Sequence, residues 1–145
     1  MGANYRALRA KIGALAMADY QIGAKREDVV EVGTDNVIRF LGPEGAQVLS
    51  TPQMILFMER TCRNLILAML DAGHDTVGTH VNVAHVAAAP MGSKITFAAE
   101  LVSMSDRRAE FRVEARLGDK VIGEGTHQRA VINIARFAEK VRNSA

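Results

Sequence analysis

The sequence predicts an α+β fold in which a curved antiparallel β-sheet wraps around one long central α-helix. Two observations carry this. Residues 51–70, Thr-Pro-Gln-Met-Ile-Leu-Phe-Met-Glu-Arg-Thr-Cys-Arg-Asn-Leu-Ile-Leu-Ala-Met-Leu, are apolar around most of a helical circumference, and such a helix must be covered nearly all round. Beyond Gly73 the hydrophobic period changes from 3.6 to 2 and holds to about residue 134. One long helix followed by a run of strands is an α+β layout, and a sheet curving round the helix supplies the cover.

The elements follow in order. Residues 1–20 open with Arg6, Arg9 and Lys11 and no acid before Asp19. Ala16-Met17-Ala18 has the form of a signal-cleavage site. The apolar stretch before it is short and glycine-interrupted, and Tyr5, Leu8, Ile12 and Leu15 share one helical face. A helical extension of a single domain spanning 1–145 is the preferred reading. Asp28–Val32 is a short strand and Gly33–Asn36 a turn, with Asp35 or Asn36 capping a brief helical piece through Val37, Ile38 and Leu41. Gly42–Ala46 is a loop by its Gly/Pro content. Ser50 or Thr51 opens the long helix, Pro52 suits its first turn, and Ser50 with Gln53 fits a capping box. Gly73 is a C-terminal stop.

Strands at 77–88, 94–104, 107–117 and 120–134 then form a meander, with turns at Pro90–Ser93, Ser105-Asp106 and Gly118-Asp119. The third is the clearest. Ala109, Phe111, Val113, Ala115 and Leu117 alternate with Arg108, Glu110, Arg112, Glu114 and Arg116, one face for core and one for water. Ala135–Arg142 is a short terminal helix.

Composition excludes several classes. Apolar residues at 48% and charged at 23% fit a globular protein, not a disordered one. No apolar run is long enough to span a membrane. A net charge of +2, with arginines interleaved among acids, argues against nucleic acid as the main partner. Cys62 is the only cysteine, mid-helix among apolar neighbours, and reads as an inert buried thiol. The four histidines lack metal-ligand spacing, so no metal site is expected. A cytoplasmic location is expected.

One carboxylate is out of place. At about 100° per residue, Ile55, Cys62, Ile66 and Leu70 project within about 60° of Glu59, while Gln53, Arg60, Asn64 and Asp71 gather on the far side. Glu59 therefore interrupts the stripe expected to be buried. A buried carboxylate must be paired, hydrogen-bonded or protonated. An ion pair with Arg63, one turn on, is the purely structural explanation. In the strand that follows, Val77, Thr79, Val81, Val83, His85 and Ala87 share the apolar face, leaving Gly78, His80, Asn82 and Ala84 on the other. An inward histidine and an inward glutamate on neighbouring elements point together to chemistry.

The chain resembles the hot-dog thioesterases similar to fluoroacetyl-CoA thioesterase. Thr51, Glu59 and His85 stand at that family's spacing. Around them Met54, Met58-Glu59, Gly78-Thr79, Ala87-Ala88, Pro90-x-Gly92 and Gly123-x-Gly125-Thr-His-x-Arg-Ala-Val-Ile132 match its pattern. The match covers about residues 48–142. It implies a hot-dog fold and an acyl-CoA thioesterase for short or medium acyl groups, with Thr51, Glu59 and His85 as the catalytic set and coenzyme A entering only as part of the substrate. Gly78 would offer a backbone N–H to the thioester carbonyl, and Arg129 is a substrate-side candidate. His127 and Arg129 also read as holding strand and terminus together. One feature departs: residues 42–48 carry no aromatic side chain where the fluoroacetyl-specific enzyme has an aromatic lid. A hydratase would need an Asp/His motif with a following Asn-Pro, which is absent. A non-catalytic acyl-CoA-binding or sensing dimer, and a structural dimer with a fossil site, remain the alternatives.

Two expectations follow. An isolated wrapped sheet would expose a long edge strand, so the chain is expected to be a homodimer or a higher oligomer. In continuous helix, eight residues separate Thr51 from Glu59 by about 12 Å. They act together only if the chain folds back before the helix or if they engage different parts of the substrate.

Overall fold

A computed structural model describes residues 20–42 and 46–144. The expected N-terminal helix and the middle of the Gly42–Ala46 loop lie outside them. β1 (Lys25–Glu31) leads through a 3-10 turn (Thr34–Asn36) to two short strands, β2 (Val37–Ile38) and β3 (Val48–Leu49), which pair with each other. The helix α1 runs Thr51–Leu67. Four long strands follow, β4 (His74–His85), β5 (Lys94–Ser105), β6 (Arg108–Leu117) and β7 (Lys120–Asn133), then α2 (Ile134–Asn143). The brief helical piece expected at Val37–Leu41 is instead β2. Asn36 explains why: its side chain accepts from Gly33 N–H and donates to Gln53, and its carbonyl accepts from Ser50 N–H, so the chain leaves the turn extended.

The five-stranded antiparallel sheet has the order β1-β5-β6-β7-β4. β5, β6 and β7 form the expected meander through tight turns, but β4 pairs with β7 and not with β5. Residues 86–93 are too long for a hairpin turn. They cross the end of the sheet instead, held by Leu49 N–H to Ala89 O and Met91 N–H to Gln47 O.

α1 lies across the concave face. Ser50 caps it by accepting from Gln53 N–H, but Gln53 turns to Asn36 and does not close the capping box. Its buried stripe is Met54, Phe57, Met58, Thr61, Cys62, Leu65 and Ile66, packed on Ile95, Phe97, Ala99 and Leu101 of β5 and on Ala109, Phe111, Val113 and Ala115 of β6. Gly123 makes room for the helix, since a Cβ there would strike the Met54 side chain and come within 3.2 Å of Met58.

Register matters most in β4. Gly78 pairs with Arg129 and His80 with Gln128, so Thr79 is an extra residue, a β-bulge. A bulge shifts alternation by one. After it, Val81, Val83 and His85 share the face of His127, Gly125 and Gly123, as the period-2 reading expects. Before it the faces exchange: Thr76 and Gly78 take the inner face with Val131 and Arg129, and Val77 leaves it. The two sheet edges also differ. β1 carries Lys25, Arg26, Glu27, Asp28 and Glu31, the charged pattern that keeps an edge unpaired. β4 carries no Lys, Arg, Asp or Glu from Thr76 to His85.

Candidate active site

Thr51 and His85 meet. β3 is bonded to residues 89–91, which brings the first residue of α1 to the end of β4, and Thr51 Oγ1 lies 2.8 Å from His85 Nδ1. The other ring nitrogen, Nε2, is buried and has no hydrogen-bond partner among the described residues. A buried imidazole nitrogen left unpaired costs free energy unless some further group completes it. An open pocket of about 350 Å³ includes the pair and is lined further by Ile38, Val48, Leu49, Ser50, Val86 and Ala87.

Glu59 belongs to a different cluster. Its side chain is 35% exposed, on the flank of the buried stripe and not at its centre. The sequence reading had placed it deeper, because the stripe centres on Met58 and Leu65 and leaves Glu59 at its edge. The ion pair with Arg63 does not form. Arg63 instead grips Asp75 through two hydrogen bonds of 2.9 and 2.6 Å, and this guanidinium holds the Asp75 carboxyl below the usual carboxylate range. Glu59 Oε1 rests against Gly78, where a Cβ would stand 2.6 Å from it, and 3.8 Å from His127 Nε2.

Beneath Glu59 is a buried polar network that extends the role expected of His127 and Arg129. Arg129, 6% exposed, donates from Nε to Thr76 Oγ1 at 2.7 Å, from Nη2 to Thr76 O at 2.9 Å, and from Nη1 to His127 Nε2 at 3.1 Å. A guanidinium has no acceptor atom, so His127 Nε2 must be the acceptor and the proton sits on Nδ1, donated to His80 O at 2.8 Å. Burial pushes the His127 pKa down and the Arg129 charge adds to this, against the pull of the His80 carbonyl. His127 is therefore a neutral, fixed tautomer, and its 3.8 Å approach to Glu59 is a contact and not an ion pair. The strand spacing of His127 and Arg129, two apart on one face, was visible beforehand. The bonding of Arg129 to Thr76 was hidden by the bulge that exchanges the faces of β4.

Within one chain the two clusters stay apart. Thr51 and Glu59 are about 12 Å apart along the continuous helix. Gly78 and His85 are seven residues apart on β4, roughly 20 Å. Cys62 is buried beside Glu59 and its thiol is pushed up to about 12 by burial, which makes it inert as a nucleophile. Among the described residues no group of three or more His, Cys, Asp or Glu gathers as a metal site, and no helix is long and apolar enough to cross a membrane.

The chain is similar to proteins of known family. The family model of the fluoroacetyl-CoA-specific thioesterase matches residues 32–135. The fluoroacetyl-CoA thioesterase of Streptantibioticus cattleyicolor is 39% identical over 72% of this chain and 80% of its own length. A solved structure of the fluoroacetyl-CoA thioesterase FlK superposes with a TM-score of 0.79 at 35% identity, covering 87% of this chain and 98% of that one. A Thermus thermophilus hypothetical protein described as a thioesterase superfamily member superposes with a TM-score of 0.77 at 27% identity, over 85% of this chain and 91% of its own.

Proposed function

The chain belongs to the fluoroacetyl-CoA-specific thioesterase family and is an acyl-CoA thioesterase, and we propose that it works as a homodimer whose two sites are each shared between protomers. The observation that carries this is the unpaired, buried Nε2 of His85, at one end of the chain's chemistry, with Glu59 about 12 Å from Thr51 at the other. Antiparallel pairing of two β4 edges about a two-fold axis near Val81 and Asn82 would set Gly78 of one protomer against His85 of its partner. Because of the bulge at Thr79 both residues lie on the inner face. Each Thr51–His85 pair would then receive the partner's Glu59. The uncharged β4 edge supports the same pairing.

In this site the thioester carbonyl lies between the two clusters, with Gly78 and Arg129 lining the Glu59 side. Glu59 attacks the carbonyl carbon or draws a proton from water that does so, and the Gly78 N–H donates to the developing oxyanion. The carbon–sulfur bond breaks, His85 delivers a proton to the departing thiolate, and the Thr51 hydroxyl holds the imidazole at 2.8 Å. If Glu59 has attacked directly, water then hydrolyses the acyl–Glu59 anhydride and frees the carboxylate; by either route one water is consumed and a carboxylic acid and coenzyme A leave.

Complementation tests the shared site. Glu59→Gln and His85→Ala protomers, each inactive alone, should regain activity when co-expressed, because the heterodimer holds one intact site. A statistical mixture should reach roughly a quarter of wild-type turnover. A purified heterodimer that stays inactive, or a monomeric mass at micromolar concentration, would refute the arrangement.

We also propose that the acyl group is short or medium and not preferentially fluoroacetyl. The open pocket that includes Thr51 accepts such chains. Phe40, the aromatic nearest the loop, is 82% exposed and does not line it. Without a fitted lid, pockets separate single small groups by only about 1–3 kcal/mol. Free-thiol release should be comparable across several acyl-CoA thioesters; strong selectivity for fluoroacetyl over acetyl would overturn this.

A further inference from the structure

We propose that Arg129 is a positioning residue whose buried charge, aimed by the neutral His127 and by Thr76, holds the Glu59 carboxylate in place; this rests on the reading of Glu59 as a catalytic group. A guanidinium buried to 6% exposure needs a compensating charge, yet no carboxylate among the described residues forms an ion pair with it. Its three bonded partners, Thr76 Oγ1, Thr76 O and His127 Nε2, are all neutral. Nη1 and Glu59 Oε1 both lie close to the position a Gly78 Cβ would take, at 3.5 and 2.6 Å. The two charges are thus within roughly 6 Å, near enough for strong attraction in a partly buried site. Burial pushes the Arg129 pKa down, and the strongest opposing influence is the charge of Glu59.

The other groups facing Glu59 leave this role to Arg129. From its own helix, Arg63 is committed to Asp75, Arg60 lies over the Phe57 ring and Cys62 is a neutral thiol. From β4, Gly78 brings no charge, and Asp75 is taken up by Arg63. From β7, His127 is neutral because Arg129 donates to its Nε2. Across the proposed dimer, the partner's His85 faces Glu59 as a reacting group. The function of His127 follows from its tautomer: it accepts at Nε2, turns the guanidinium toward the helix, and cannot itself take up a proton without losing that bond.

Two measurements test this. In Arg129→Gln kcat should fall roughly tenfold with KM little changed, while Arg129→Lys, which keeps the charge, should recover most of the loss. An Arg129→Lys enzyme as slow as Arg129→Gln would overturn the proposal. Stability gives a second readout that does not depend on turnover. Glu59→Gln should lower the melting temperature by leaving Arg129 uncompensated, and should lower it far less in an Arg129→Gln background. If Arg129→Gln alone fails to fold, recovery of a folded Glu59→Gln/Arg129→Gln double variant supports the coupling. Additive melting temperatures, or a double variant no better folded than Arg129→Gln, would sink it. If the coupling holds but Glu59→Gln retains turnover, the catalytic assignment of Glu59 fails and the electrostatic one stands.

Discussion

Replacing Glu59 by Gln, or His85 by Ala, should lower kcat by about two to four orders of magnitude, the range that a positioned acid or base contributes, while the proposed dimer persists. The two substitutions act on opposite sides of the proposed site. Glu59→Gln keeps the shape but removes the group proposed to attack the thioester or activate water. His85→Ala removes the imidazole that Thr51 holds at 2.8 Å and with it the proton for the departing thiolate. His80→Ala serves as the control. Its side chain makes no hydrogen bond among the described residues, its carbonyl accepts from His127, and its pairing with Gln128 puts the side chain on the outer face, so activity should stay within a few-fold of wild type. Steady-state thiol release on the three variants, with mass by light scattering, checks this. Loss of activity in His80→Ala with His85→Ala unaffected would reverse the facing of the whole distal half of β4.

Gly78→Ala should cost about a hundredfold in kcat/KM with little loss of stability, the size expected when a reacting group is displaced by about an ångström. The added Cβ would stand 2.6 Å from Glu59 Oε1 and 3.2 Å from the His127 ring. Something must move, and the carboxylate is the free end of a flexible side chain, whereas His127 is tied at both nitrogens. The fold therefore survives and Glu59 shifts. A second variant separates this from damage to the backbone: in a Glu59→Ala background, adding Gly78→Ala should cost almost nothing further. Equal losses with and without the carboxylate would place the defect in the strand. Thermal melts and kcat/KM on the single and double variants decide between them.

How much of this was legible beforehand differs by element. The strands from β5 to β7 were readable almost residue by residue, because each has one core face and one solvated face, and alternation reports that directly. The two-residue strands β2 and β3 were not readable. So short a segment has no period of its own, and it is Asn36, bonded to Gly33, Gln53 and Ser50, that sets the chain extended there. The partner of β4 was missed as well, since alternation tells which face a strand buries but not which neighbour it joins.

Thr51 was marked only by the family resemblance, whereas Glu59 and His85 could be picked out from residue type and periodicity, as could the inward facing of His85. These are properties of position along a helix or strand, and local periodicity dictates them. Tertiary structure alone decided which of them touch. The Thr79 bulge reversed the near half of β4 and brought Gly78 and Thr76 to face Glu59 and Arg129. The bonding of β3 to residues 89–91 carried Thr51 onto His85. The distribution of burial around α1 left Glu59 on the flank of its stripe. Each depends on contacts between residues far apart in the chain, and a register shift of one residue, invisible in the pattern of side-chain types, changes which groups share a face.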